Sequence, residues 1–359
     1  MTSSSEKQKT KDLPIYISKL RIPVASPNKV VTNGVCALGT FKGPLRDIHL
    51  LDCDKPCGKW LPNFLKSFRL KQWFAYLIDF DEGFILSAVY DTGLMMFNVV
   101  SFFDKTSRQS QSNMIFTSKK KNVLTHSLID SRIFLNAGGF SQEIINHFEV
   151  GRCTIKATCP ASKRHFNYQV DMSLESICVP SVVVMPLGPN KPLYIHKELF
   201  QVQGAITIGE RTFTLNENAT CIIDDHKGYY PYHMNYDWIS GIRTNETDTI
   251  AFNIVDNQVL RPDDYNENFV WINGETHPLP PVKVIKKSKN LWLAHDQHGA
   301  VDIRFDIEDD FVKRINLPFF RANYRAPFGK ISGTLKDLNE QKQPLEGTFG
   351  IGEDLDYRY

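Results

Sequence analysis

Between Phe68 and Phe103 the chain runs through three stretches of β-branched and aromatic residues, separated by tight-turn signals. Trp73–Ile78 leads to Asp81-Glu82-Gly83, Phe84–Tyr90 leads to Asp91-Thr92-Gly93, and Leu94–Phe103 follows. These lengths suit strands, and their β-branched and aromatic content argues against buried helix. The pattern recurs along the chain. Arg152–Ala157 and His165–Val170 flank Pro160-Ala161-Ser162 as a hairpin, and Val202–Ile208 turns at Gly209-Glu210-Arg211 into Thr212–Leu215. Phe269–Ile272 ends on Asn273-Gly274, a strong type I′ signal. Asn290–His295 and Val301–Phe305 bracket Gln297-His298-Gly299, and Gly329–Leu335 and Gly347–Ile351 close the chain. Only Gln142–Phe148 resembles a helix. So many short strands predict an all-β fold of antiparallel barrels or sandwiches with little helix.

Residues 1–12 are rich in Ser and Lys and are expected to form a disordered tail. Pro186–Pro192 holds three prolines and a glycine, which suits a linker. The expected division is a first β domain over 13–188 and a second over 189–359. The run Lys119–Lys121 reads as a solvated loop.

Charge narrows the partners. Lys plus Arg number 42 against 40 Asp plus Glu, a formal net charge of +2. That balance gives no support for a nucleic-acid or membrane-surface partner. The opening residues lack the apolar core of a signal peptide, and no apolar run reaches the length of a membrane span. The seven cysteines match no common zinc spacing and read as reduced thiols, so a cytoplasmic location is expected. The sequons at Asn218 and Asn245 are then chance matches. Aromatic residues reach 12%, a load that suits sheets and aromatic-lined cavities.

The densest mixture of titratable and aromatic side chains is Asp224–Trp238, following the apolar Cys221-Ile222-Ile223. It reads as a loop beginning where a buried strand ends, and loops on rigid scaffolds carry function. Asp225, His226, His233 and Asp237 are the candidate acid–base residues, since each can be brought towards neutral titration by burial or a neighbour. Tyr229, Tyr230, Tyr236 and Trp238 can steer a cationic intermediate with their ring faces. The bland alternative is that the Asp and His residues cap turns and the tyrosines are packing. The seven-residue spacing of His226 and His233 is not a metal pattern, so no metal is expected. No nucleotide fingerprint, phosphate loop or nucleophile elbow is present, and no cofactor is expected.

These residues resemble the family known as domain of unknown function 2804, related to two-domain lipocalin-like proteins that include carotenoid hydratases. In the first half the resemblance rests on Arg69, Lys71, Trp73 and Tyr76, then Leu86-Ser87 leading to Asp91 and Gly93. In the second it rests on His196-Lys197, Gly204, and Asp225 with Gly228-Tyr229, Pro231-Tyr232 and Trp238. Asn268, Trp271, Asn273-Gly274, Phe328-Gly329 and Ser332-Gly333 complete it. One departure stands: that family's second motif opens on Asp-Trp, whereas Asp225 here precedes His226 and the Asp-Trp pair is Asp237-Trp238. The resemblance implies two lipocalin-like β-barrels packed together and no established activity.

On that scaffold the expected function is binding of a small apolar ligand, lipid- or isoprenoid-like, in a barrel cavity. The candidate ligand contacts are Arg69, Trp73, Tyr76, Lys197, Tyr229, Tyr232 and Trp238. Arg69, Lys71 and Trp73 alternate and share a strand face; outward they are surface charge, inward they suit a polar-headed ligand. Lys197 is a snorkelling surface lysine or a buried ammonium. The alternative function is a cofactor-independent hydratase, isomerase or cyclase using the 224–238 stretch. A weaker one is carbohydrate binding on exposed rings at Tyr229, Tyr232 and Trp238.

Overall fold

The computed structural model describes residues 13–117, 124–317 and 320–358. The expected tail and Lys119–Lys121 lie outside the described residues. Strand makes up about 60% and helix about 5%, arranged as a nearly closed barrel sheet and a half-barrel sheet. The fold is therefore all-β, as the turn-punctuated runs predicted.

The first sheet grows from Leu70–Phe80, Gly83–Asp91, Met96–Asp104 and Gln109–Thr117, the meander anticipated above. On the other edge of Leu70–Phe80 lies Thr220–Tyr229, followed by Pro192–Ile208, Tyr168–Ser176, Arg152–Cys159, Phe140–His147 and Ser131–Ala137. Asn113 helps draw the far ends together. Its amide donates to Phe166 O at 2.9 Å and accepts from Phe166 N at 3.0 Å. The second sheet is built around His233–Thr244. Thr249–Asp256 and Phe269–Ile272 lie on one side, and Thr348–Arg358, Phe320–Lys336, Val301–Leu317 and Leu291–His295 on the other.

Three apolar layers follow from strand alternation. Phe74, Tyr76 and Ile78 point into the first barrel, where they pack with Phe140, Ile155, Phe200 and Ile223. Their neighbours Ala75 and Leu77 point out of it and meet Trp238, Trp271 and Phe328 of the second sheet. Ile239, Phe252, Trp292 and Phe305 fill the half-barrel. The strands at the sheet–sheet contact are buried on both faces, so they read as unbroken apolar runs.

Several expectations need correction. Gln142–Phe148 is not a helix; Phe140–His147 is a strand that buries Phe140, Gln142, Ile144 and Asn146 in alternation. The adjacent isoleucines imitated a helical stripe. The helix is Asn63–Arg69, within the turn-rich opening. Pro186–Pro192 is not a linker, for Ser181–Pro186 and Pro192–Ile208 pair across it with Pro186 opposite Pro192. The passage between sheets falls instead between Tyr229 and His233, so a division at 188/189 does not coincide with it. The barrel interior is packed with side chains, and the cleft described below lies where the two sheets meet. Asn273 and Gly274 both have positive φ (48° and 87°), as a type I′ turn requires.

Pro192–Ile208 changes partner on one edge, from Thr220–Tyr229 to Arg211–Leu215, near Gly204. Gly204 has φ +134°, and a Cβ there would stand 2.2 Å from Asp171 O. Gly204→Ala is expected to lower stability by about 3 kcal/mol, read by urea denaturation.

Candidate functional site

Lys197 and Asp224 sit opposite one another in register on neighbouring strands of the first sheet. Their neighbours Leu199 and Ile222, two residues along on the same faces, contact the second sheet, so the charged pair faces the second sheet too. Lys197 Nζ donates to Asp224 Oδ2 at 2.5 Å and lies 3.6 Å from Glu267 Oε2. His226 shares the face of Asp224. Its Nε2 is 2.8 Å from Asp224 Oδ1 and 3.7 Å from Glu267 Oε2. His226 Nδ1 and Glu267 Oε2 are buried without a hydrogen-bond partner.

These groups line a small, partly open cleft with about 40 Å³ of free space. Aromatic rings make much of its wall. Trp73 stacks on His226 with centroids 4.4 Å apart and 24° between planes. Tyr90 and Tyr230 flank Trp73 at 5.9 and 5.7 Å. Trp238 lies 5.5 Å from the Lys197 ammonium, and its indole N–H donates to Asn253 Oδ1 at 2.6 Å. Asn253 also donates to Glu267 O at 2.8 Å, so one amide positions both a ring and a carboxylate.

The second sheet supplies another ionisable group. Glu353 accepts from Tyr236 Oη at 2.7 Å and from Tyr324 Oη at 2.6 Å. Burial pushes the Glu353 carboxyl above its usual range; the two phenols oppose the shift and Asp224 adds to it. Burial and the Glu353 charge hold Tyr236 and Tyr324 far above the usual phenol value. Asp224 behaves oppositely. Burial opposes its charge, but His226 and Lys197 outweigh that and hold it well below the ordinary 3.8. The cleft thus contains a firmly ionised carboxylate on one wall and a carboxyl that resists ionisation on the other.

Residues 26–359 match the domain of unknown function DUF2804. The chain belongs to the DUF2804 family. No curated protein matches it in sequence. Among solved structures, CghA with Sch210972 aligns at TM-score 0.50 and 9% identity, over 80% of the DUF2804 chain and 88% of its own. Kievitone hydratase from Nectria haematococca aligns at TM-score 0.49 and 11% identity, over 80% and 88%. At such identity the likeness to CghA concerns the fold.

Of the residues singled out in the DUF2804 sequence, the cleft collects Trp73, Lys197, His226, Tyr230, Tyr236 and Trp238. It does not collect the others. Asp225 turns away from it and ion-pairs with Lys227, which lies 5.4 Å from the Tyr194 ring. The reason is the two-residue period of the strand: 224–238 is not a loop but the end of Thr220–Tyr229, a three-residue link and the start of His233–Thr244. Tyr76 is inside the barrel, its Oη 2.8 Å from Tyr168 Oη. Tyr229 is buried against the N-terminal segment and donates to Leu50 O at 3.2 Å. His233 pairs with Asp356 at 2.6 Å and Asp237 with Lys286 at 2.7 Å, both outside the cleft. Tyr232 is exposed. With Tyr229 and Trp238 buried, no shared platform of exposed rings forms for a sugar. Arg69 ends the helix rather than lying in the strand, and donates to Tyr230 O at 3.1 Å; Lys71 is buried.

Asp224, Glu267, Glu353, Tyr90 and Tyr324 were missed as site residues. Asp224 differs from the chosen Asp225 only by strand phase. Glu267 and Glu353 are far away in sequence and carry no local signal. No group of three or more His, Cys, Asp and Glu among the described residues has metal-ligand geometry.

Lys197→Met would leave Asp224 and Glu267 buried without their ammonium, an expected loss of about 3 kcal/mol at pH 7. The Asp224 contribution is present above the ordinary aspartate value of 3.8 and is lost as pH falls through the depressed folded value. The gap between wild type and variant should therefore narrow from pH 7 to pH 3, measured by urea denaturation at each.

Proposed function

We propose that the cleft is the centre of a cofactor-independent acid–base enzyme of the hydratase, isomerase or cyclase kind, acting on a small, largely apolar molecule. The observation that carries this reading is His226: buried, stacked on Trp73, its Nε2 2.8 Å from the Asp224 carboxylate and its Nδ1 without a hydrogen-bond partner. A binding protein needs shape and apolar walls, and has no use for an imidazole left unsatisfied beside an ion pair. CghA, which shares the fold, was solved with a small molecule, Sch210972, a parallel that supports a ligand-holding cleft.

The charges favour one class of ligand. Lys197 faces both Asp224 and Glu267, so two carboxylates surround one ammonium in the cleft. An anionic ligand is disfavoured. A neutral ligand that develops positive charge is favoured, because the faces of Trp73 and Trp238 add attraction for a cation. For hydration the chemistry balances simply. An acid delivers a proton to one alkene carbon, water attacks the other, and a base takes the proton that water releases. His226, oriented by Asp224, is suited to one role, and Glu353 with its two tyrosine partners on the facing wall to the other. An isomerase or cyclase uses the same two groups without water. Lys197 keeps Asp224 ionised throughout.

The test uses isoprenoid and polyene alkenes incubated with the protein in D₂O, read by mass spectrometry. Solvent deuterium or added water should enter the ligand, and His226→Asn should slow this by roughly 100-fold or more while ligand retention in native mass spectra persists. Stoichiometric retention without turnover would leave a binding protein. No retention and no shift in melting temperature across the panel would remove the apolar ligand altogether.

A further inference from the structure

Asn33-Gly34 joins the short strands Val31–Thr32 and Val35–Cys36, and both residues have positive φ (50° and 77°), as a type I′ turn requires. This hairpin is held against a second piece of the N-terminal segment. Gly34 O accepts from Asp54 N at 2.8 Å, and a Cβ on Gly34 would stand 2.3 Å from Asp54 Oδ2. The contact sets Cys36, at the end of the hairpin, beside Cys53, which ends the helical turn Leu50–Asp52. The two thiols are hydrogen-bonded to each other. Both pack on one apolar cluster, together with Cys57. Lys66, buried on the helix Asn63–Arg69, donates to Leu51 O at 3.0 Å and to Cys53 O at 2.7 Å. It fixes the turn and brings an ammonium to the Cys53 thiol.

A buried cysteine is ordinarily a small apolar side chain with an inert thiol. Cys153, Cys159 and Cys221 fit that description: they lie in strands, and burial pushes each thiol up. Cys53 differs. The hydrogen bond with Cys36, helped by the Lys66 ammonium, holds its thiol below the ordinary value, although burial and the carboxylates of Asp52 and Asp54 oppose this. Cys36, which keeps the shared proton, is pushed up by the same bond. One sulfur is thus prepared as a nucleophile and the other stands beside it to resolve the product. Cys36 is only half-buried, which gives a small oxidant access to the pair.

We propose that Cys36 and Cys53 form a redox-modification site, whose reactant is a small hydroperoxide and whose product is a disulfide that clamps the N-terminal segment. The Cys53 thiolate attacks the outer peroxide oxygen. An S–O bond forms, the O–O bond breaks, and water or alcohol leaves with the proton that Cys53 gave up. The Cys36 sulfur then attacks the Cys53 sulfenic sulfur. The S–S bond forms, the S–O bond breaks, and hydroxide leaves as water with the Cys36 proton. Two sulfurs are oxidised, the peroxide is reduced, and no further reactant is needed. The bridge closes the chain around Leu50, whose carbonyl accepts from Tyr229, and around Asp47, whose carbonyl accepts from Val30 N at 2.9 Å. It therefore locks the cover of the barrel end from which the chain passes to the second sheet. Nothing in this depends on the reaction assigned to the cleft.

The test treats the reduced, desalted chain with hydrogen peroxide, then alkylates it in denaturant and maps the peptides by mass spectrometry. The intact mass should fall by two hydrogens, with the crosslink between Cys36 and Cys53 and with Cys153, Cys159 and Cys221 still alkylated. The melting temperature should rise by about 5 °C, and dithiothreitol should reverse both changes. Cys36→Ser should stop at a Cys53 sulfenic acid that dimedone traps, without the thermal shift. Cys57→Ser should oxidise as wild type does. If a variant does not fold, the wild-type peptide map decides alone. Free thiols at Cys36 and Cys53 after peroxide treatment would overturn the proposal. So would a disulfide made by Cys57, or a Cys36–Cys53 bridge that forms only when the chain is oxidised in urea.

Discussion

Lys197 and Asp224 face each other across two neighbouring strands in a place where neither can be charged alone. Both are almost wholly buried, and desolvating a single unpaired ion there costs several kcal/mol. The pairing is set by backbone register, with Lys197 opposite Asp224 along Pro192–Ile208 and Thr220–Tyr229. A slip of one residue would send both side chains into the barrel and bring His196 and Asp225 outward. The arrangement therefore fixes register as well as chemistry. It also explains why Asp224 stays ionised so deep in the protein, and why a second carboxylate, Glu267, is accepted within 3.6 Å of the same ammonium.

The same strand does different work on its two faces. Asp224 and His226 look towards the second sheet. Asp225 and Lys227 look into the first barrel, on the side of Pro192–Ile208 that carries His196 and Glu198. There the charges are matched locally. Lys227 pairs with Asp225, and His196 Nε2 lies 2.9 Å from Glu198 Oε2. The N-terminal segment covers that end of the barrel, with Leu50 O accepting from Tyr229 and Val182, Val184 and Tyr194 packing beneath. This inner cluster is closed by the chain itself, whereas the outer one opens into a cleft.

Strand existence was legible in the sequence because it rests on local signals. The Phe68–Phe103 meander and the Asn273-Gly274 turn needed only neighbouring residues. Strand phase was not legible. In Trp73–Ile78 both faces are apolar because both are buried, so no alternation marks which residues look into the barrel. In Asp224–Lys227 both faces carry charges, and the choice of Asp225 over Asp224 rested on a motif rather than on a face. The stretch read as a loop because titratable residues are rare in buried strands. Trp73, Lys197 and Trp238 were marked by the family resemblance, and His226 by its chemistry. Glu267 and Glu353 reach the cleft only through pairing between distant strands, which no local pattern records.

The cleft is made by two sheets that contribute unlike parts. The first provides Lys197, Asp224, His226 and Trp73; the second provides Glu353 with its tyrosines, Trp238 and, from the segment before Phe269–Ile272, Glu267. The gap between His226 and Glu353 is thus a property of how the sheets meet. Three features hold that meeting. The link from Tyr229 to His233 is only three residues long, the apolar layer around Leu77, Trp271 and Phe328 locks the faces together, and the N-terminal segment straps across both. In that strap Arg21, buried, donates to Leu279 O at 2.9 Å and to Asn268 O at 2.7 Å, next to Glu267. The strap thus bears on the placement of a charged cleft residue from more than 240 positions away in the chain. A site divided in this way holds His226 and Glu353 on opposed strands rather than on a flexible loop, so the gap between them is preorganised.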